Sequence, residues 1–163
     1  AAAPSASSRA RPRAATMRMC AGGGGGGGVG EVRAAGKKVC VIGAGACGLA
    51  AVSVLREYNH EVTVFEEQDC VGGVWKFDER TDTAERSVHS SMYKNLRTNL
   101  PREVMGFVGF PFSARGAGSA AWREHYAPID ARRFCSHEEV QRYLEAFAAY
   151  NGITRESGIL RLG

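Results

Sequence analysis

The sequence predicts an α/β fold, a parallel sheet whose strands are joined by helices, and three observations carry that prediction. An apolar run without alternation, Val39-Cys40-Val41-Ile42, leads directly into glycines spaced Gly43, Gly45 and Gly48. A helical pattern follows, with Leu49, Val52, Leu55 and Tyr58 at the spacing of one face. A second short β-branched run, Glu61-Val62-Thr63-Val64-Phe65-Glu66, closes the unit. Strand, helix and strand within about thirty residues make the minimal parallel crossover, so the expected class is a Rossmann-like, three-layer α/β fold with an incomplete parallel sheet.

Each element has a local reason. The unalternating run before Gly43 is the pattern of a strand buried on both faces of a parallel sheet. Asn59 is placed to take the left-handed conformation that ends the helix. Past Gly72-Gly73 the signals weaken: residues 76–135 hold several turn formers, Pro101, Pro111 and Pro128, and a small-residue patch ARGAGSAA at 114–121 that reads as a surface loop. A helix returns at Ser136-His137-Glu138-Glu139, where Ser136 is expected to cap the amide of Glu139 and Glu139 to reach back in a capping box. Val140, Tyr143, Leu144 and Phe147 form its core stripe, and Asn151-Gly152 ends it. Ile159-Leu160-Arg161-Leu162 begins a further strand.

Composition narrows the function classes. The chain of 163 residues, 44% hydrophobic, suits one modest domain. Its formal charge of +4 comes from the tail: Arg9, Arg11, Arg13 and Arg18 precede the first acid, and the remainder holds 17 basic and 17 acidic residues. The folded part is therefore neutral, which argues against nucleic-acid binding. Residues 1–35, rich in Ala, Arg, Ser and Gly with seven consecutive glycines at 22–28, read as a disordered tail with the composition of an organelle transit peptide. The expected location is cytoplasmic, or an organelle if that tail is a targeting segment. Five scattered cysteines without a CxxC pair speak against a zinc site and a disulfide framework, so no metal is expected. No apolar run is long enough for a transmembrane helix.

The glycine spacing carries the chemistry. In Gly43-Ala44-Gly45-Ala46-Cys47-Gly48 the first glycine permits a tight turn off the strand, the second lets a pyrophosphate approach backbone amides, and the third lets helix and strand pack closely. The phosphates are then held by unpaired N–H groups and the positive end of the helix dipole. Glu66 follows Gly43 by 23 residues, at the end of the second strand, where a carboxylate accepts the hydroxyls of an adenosine ribose. An acid there disfavours a 2′-phosphate, which leaves NAD or FAD. Cys47, within the motif, reads as a position that needs a small side chain rather than as a reactive thiol.

Three further segments, EQDCVGGVW at 67–75, VHSSMYKNLRTNLPREVMGFVGFPF at 88–112 and RFCSHEEVQRYLEAFA at 133–148, resemble consecutive blocks of the flavin-containing monooxygenases, closest to the plant S-oxygenating type. The resemblance implies FAD in the first dinucleotide site, with the pyrophosphate at Gly43 to Gly48 and the ribose at Glu66. It places Gly72, Gly73 and Trp75 along the flavin side of the cofactor, Arg97 and Thr98 beside it, and Asn99 at the flavin reaction site, as the catalytic residue. An amide at that place hydrogen-bonds a flavin–oxygen adduct without supplying an acidic proton. The resemblance further implies flavin reduction by NADPH, activation of O2 on the flavin, and transfer of one oxygen atom to a small sulfur- or nitrogen-containing nucleophile. The family's second GxGxxG and its FxGxxxHxxx(Y/F) signature do not occur in these residues. Residues 36–163 are thus expected to be the N-terminal part of an FAD-binding domain, inactive in turnover alone. Another FAD oxidoreductase or a non-catalytic flavin module are the alternatives. Without the resemblance, Trp75 reads as a core aromatic, Asn99 as a turn residue before Leu100-Pro101, Arg97 and Arg102 as solvated side chains, His89 as a strand-edge polar group and His137 as a first-turn helix residue.

Overall fold

The computed structural model describes residues 36–79, 92–112 and 124–163. The tail 1–35, His89 and the patch at 114–121 lie outside the described residues. Strand β1 (Lys38–Ile42) leads through the glycine turn into helix α1 (Ala46–Glu57), and β2 (Glu61–Glu66) follows. Two single-turn helices, Gly73–Trp75 and Arg102–Val104, lie among the described residues before α2 (His137–Tyr150) and β3 (Leu160–Leu162). The strands form one parallel sheet in the order β1-β2-β3. The expected βαβ unit is therefore present and extended by a third strand.

Register explains which side of the sheet is covered. Val39 lies beside Val62, Val41 beside Val64, and Val64 beside Leu160. These residues join Leu49 and Val52 of α1 and Val140, Leu144 and Phe147 of α2 in one core. On the opposite face Cys40 pairs with Thr63 and Ile42 with Phe65; Ile42 is 89% exposed. β1 is thus not buried on both faces, as its sequence predicts: among the described residues the core covers only the valine face, and an apolar run cannot by itself say how many layers pack against it.

Two other expectations are corrected. Tyr58 is not part of the α1 stripe but its exposed C-cap. The helix ends one residue before the stripe would have used it, because Asn59 turns left-handed with φ 61°. The capping box at α2 is half formed. Ser136 Oγ accepts from the Glu139 amide at 3.4 Å, but the Glu139 carboxylate turns inward, and the Ser136 amide donates to Asp130 Oδ2 at 3.0 Å instead. At the other end of α2, Asn151 is the C-cap and Gly152 takes φ 64°, as expected.

An aromatic cluster joins α2 to the segment before it. Tyr143 packs on Phe107, Phe110, Phe112 and Tyr126, with the Phe112 ring centroid 4.2 Å away. Its hydroxyl accepts from the Phe107 amide at 2.7 Å and donates to the Phe110 carbonyl at 2.5 Å, closing the 107–110 turn. Burial pushes the Tyr143 pKa up to about 12.

Candidate functional site

The glycine turn is built by three different constraints. Gly43 has φ 92°, a conformation that L residues rarely adopt, and its amide donates to the Phe65 carbonyl at 2.7 Å, which fixes the turn to β2. At Gly48 a Cβ would lie 2.0 Å from the Gly43 carbonyl oxygen, so that glycine sets how closely α1 approaches β1. Gly45 is different: its φ of −72° suits any residue, and a Cβ there would meet only the Gly73 Cα, at 3.7 Å. No side chain caps α1 at Gly45, and its first turn carries no acid. The opening amides of α1 around Ala46, Cys47 and Gly48 are left for an anion, since helix-initial N–H groups have no intrahelical acceptor. Cys47 itself is exposed on this first turn.

Two further segments close on the turn. Glu66 is buried at the end of β2; its Oε2 accepts from the Ala44 amide at 2.5 Å and its Oε1 from the Gln68 amide at 2.9 Å. The carboxylate therefore braces the turn, while each oxygen keeps a second lone pair for a ligand hydroxyl. The Gly72 amide donates to the Ala44 carbonyl at 2.9 Å, and Gly73 sits against Gly45, where a Cβ would come within 3.0 Å of the Gly45 Cα. Gly72 and Gly73 have φ 121° and 58°, which makes the doublet a backbone requirement. Trp75, at the end of this short turn, is half-buried against the core. Nearby, Lys76 pairs with Asp69 and holds its carboxyl below the usual range, while burial pushes the Cys70 thiol up.

The TNLP segment is held by α2 and the residues before it. Arg97 forms an antiparallel bridge with Ser136, and its guanidinium donates to Asp130 Oδ2 at 3.1 Å and to the Phe134 carbonyl. Thr98 is buried, with its amide on the Cys135 carbonyl at 3.0 Å, and Asn99 is exposed beside it. One turn along α2, Gln141 donates to the Val71 carbonyl at 2.7 Å. The helix thus touches both the doublet and the Asn99 segment. Arg97 is paired but half-buried, with 35% of its side chain exposed, whereas Arg102 is 2% exposed. Its guanidinium donates to Glu139 Oε1 at 2.8 Å, the Tyr126 hydroxyl and the Asp130 carbonyl at 2.5 Å, and the Phe112 carbonyl at 2.9 Å. Those acceptors replace water, which is why the sequence reading of Arg102 fails.

His137 is first-turn, as expected, but buried: Nε2 contacts the Lys94 carbonyl at 3.0 Å and the ring lies 5.1 Å from Phe77. Sequence reasoning misread Arg102 and Glu139 and missed Tyr126, Asp130 and Gln141. The one available signal was Glu139, which stands four residues before Tyr143 and eight before Phe147, on the buried stripe.

The donor set fits a dinucleotide. Open space at Gly43, an uncapped helix start and a buried acid meet in one place. Two buried polar atoms beside it, Gln68 Nε2 and Gln141 Oε1, have no hydrogen-bond partner among the described residues. Residues 36–155 match the flavin-binding monooxygenase-like family. The chain belongs to that family. Family membership therefore makes a flavin the cofactor class of the chain. Among its relatives, the flavin-containing monooxygenase FMO GS-OX1 of Arabidopsis thaliana is 44% identical over 119 residues, which are 69% of this chain and 24% of that protein. A putative flavin-containing monooxygenase of the same plant, FMO GS-OX-like 11, is 47% identical over 117 residues, covering 68% of this chain and 66% of that protein. Among solved structures, the S-allyl-L-cysteine S-oxygenase of Allium sativum superposes with a TM-score of 0.63 at 40% identity, over 77% of this chain and 27% of that one. The chain thus spans about a quarter of the length of the monooxygenase GS-OX1.

Proposed function

We propose that residues 36–163 form the flavin-holding part of an NADPH-dependent monooxygenase that places one oxygen atom on the sulfur of a small thioether. A sulfur substrate is favoured because the S-oxygenase from Allium sativum is 40% identical; an amine nitrogen is the other soft nucleophile that such chemistry accepts. The observation that carries the reading is the meeting of the Gly43–Gly48 turn, Glu66 and the Gly72–Gly73 doublet in one place.

In this reading the opening amides of α1 hold the pyrophosphate of FAD, and Glu66 accepts from the adenosine ribose while keeping the turn braced through the Ala44 amide. Gly72, Gly73 and Trp75 flank the cofactor toward its ring, and Asn99, exposed on its segment, offers an amide to the ring's reacting edge. The bound flavin supplies the redox and oxygen chemistry. The protein's part is to orient it and keep water away; an amide at Asn99 hydrogen-bonds without donating an acidic proton. NADPH reduction is assigned to the family's second GxGxxG block, which these residues do not contain.

Titration of the purified 163-residue chain with FAD, FMN, NAD and ADP, followed by flavin fluorescence and by competition, tests the reading. FAD is expected to bind most tightly, ADP more weakly and FMN poorly. Tight NAD binding with no preference for FAD would refute it.

A further inference from the structure

The geometry points to Arg102, fixed by Glu139, as a positioning residue that sets where Asn99 is presented; we propose this role as an extension of the flavin reading above, on which it rests. The segment from Arg97 to Arg102 is pinned at both ends to one body. At the first end are the Arg97–Ser136 bridge, the Thr98 amide on the Cys135 carbonyl at 3.0 Å and the Arg97–Asp130 pair at 3.1 Å. At the second end the Arg102 amide donates to the Arg133 carbonyl at 2.9 Å, and its side chain is locked in the buried network. Only Asn99, Leu100 and Pro101 lie between the pins, and Pro101 has its φ fixed at −68°. So short a span leaves Asn99 little freedom once both ends are held.

The second pin is built for direction. The guanidinium uses Nε, Nη1 and Nη2 toward four different acceptors, and it lies 4.5 Å above the Phe112 ring. Glu139 in turn accepts from Arg102, Tyr126 and the amides of Ile129 and Asp130. A buried ion pair is a poor source of stability, since apolar replacements of similar volume are often neutral or better. A planar fork with every arm engaged does specify orientation, and a lysine cannot reproduce it. The network ties Arg102 to α2 through Glu139, whereas the turn for the pyrophosphate and Glu66 belong to the β1-α1-β2 unit. Loss of the pin should therefore reach the flavin ring and spare the ADP moiety.

The test compares FAD and ADP binding to the full chain for Arg102→Lys, for the apolar pair Arg102→Met with Glu139→Leu, and for Asn99→Ala alone and combined with Arg102→Lys. The apolar pair fills the volume but leaves the Ile129 and Asp130 amides without Glu139, so a cooperative melt and retained ADP binding are required of each variant before its FAD affinity is compared. ADP affinity is expected to stay within about twofold, the margin for independent sites. FAD affinity should fall by about tenfold, the loss of one positioned hydrogen bond, with a changed visible circular dichroism of the bound flavin. Asn99→Ala should then add little on top of Arg102→Lys. Equal losses for FAD and ADP, no loss for either, or fully additive effects of the two substitutions would overturn the positioning role. A wild-type chain that binds FAD no better than ADP would instead overturn the flavin reading itself.

Discussion

Gly45 and Gly48 belong to one motif, yet alanine at each should fail in a different assay. At Gly48 a Cβ would stand 2.0 Å from the Gly43 carbonyl oxygen and 3.1 Å from the Gly43 carbonyl carbon. Both obstacles are backbone, so α1 must move away from β1, and overpacking of this kind costs about 1–3 kcal/mol or more. At Gly45 the Cβ would meet only a Cα at 3.7 Å, and φ is −72°. Restricting the unfolded chain there adds about 0.4–1 kcal/mol of stability, offset by the preference for glycine over alanine at an N-cap. The net change in the ligand-free protein should stay within about 1 kcal/mol, a few degrees in melting temperature. On the flavin reading, however, the methyl stands beside the α1 amides assigned to the pyrophosphate. Losing one charge-assisted hydrogen bond, about 1.5–3 kcal/mol, weakens FAD binding roughly 10- to 150-fold. Thermal melts of the ligand-free chain and fluorescence titration with FAD read the two effects separately. A Gly45→Ala chain that binds FAD as wild type does, or a Gly48→Ala chain that melts where wild type melts, would refute the reasoning.

Three other outcomes are expected. Tyr143→Phe strips the partner from the Phe107 amide and the Phe110 carbonyl, and urea unfolding should show a loss of about 1–3 kcal/mol; an unchanged midpoint would mean that water replaces the hydroxyl. Burial works to raise the pKa values of Asp130 and Glu139, but hydrogen bonds from Arg132, Ser136 and Arg97 to Asp130, and from Tyr126, the Asp130 and Ile129 amides and Arg102 to Glu139, outweigh it and hold both carboxyls low. Their stabilisation is therefore present above the unfolded carboxylate values near about 4 and is lost as pH falls through the lowered folded values. Urea midpoints should hold above about pH 5 and fall progressively below it, and Asp130→Asn should flatten that fall; an equal slope in the variant would remove Asp130 from the account. On the sheet, Ile42→Thr should change stability by no more than about 0.5 kcal/mol, whereas Val64→Ala, at a fully buried position, should cost about 2 kcal/mol. Equal losses at the two positions would show that the Ile42 face is covered in solution.

The features legible in the sequence are those with local causes. The glycine turn follows from backbone sterics: Gly43 needs φ 92° and Gly48 leaves no room for a Cβ, so those residue types could be read without knowing their surroundings. The same holds for β2, for the Asn59 and Gly152 helix stops and for the α2 stripe, each set by side-chain period or a single left-handed residue. Family-specific blocks supplied the flavin, which spacing alone left open between NAD and FAD. Where the charges go depends on contacts between distant segments. Arg102 and Glu139 are 37 residues apart; the stripe of α2 places Glu139 on the buried face, but nothing in the sequence names Arg102 as its partner. Glu139 leaves its expected capping role because a desolvated guanidinium and two amides, brought by chain closure, need the carboxylate more than a solvated helix end does. The number of layers on β1 was likewise out of reach, because an apolar strand records that it can be buried but not which of its faces a neighbour covers.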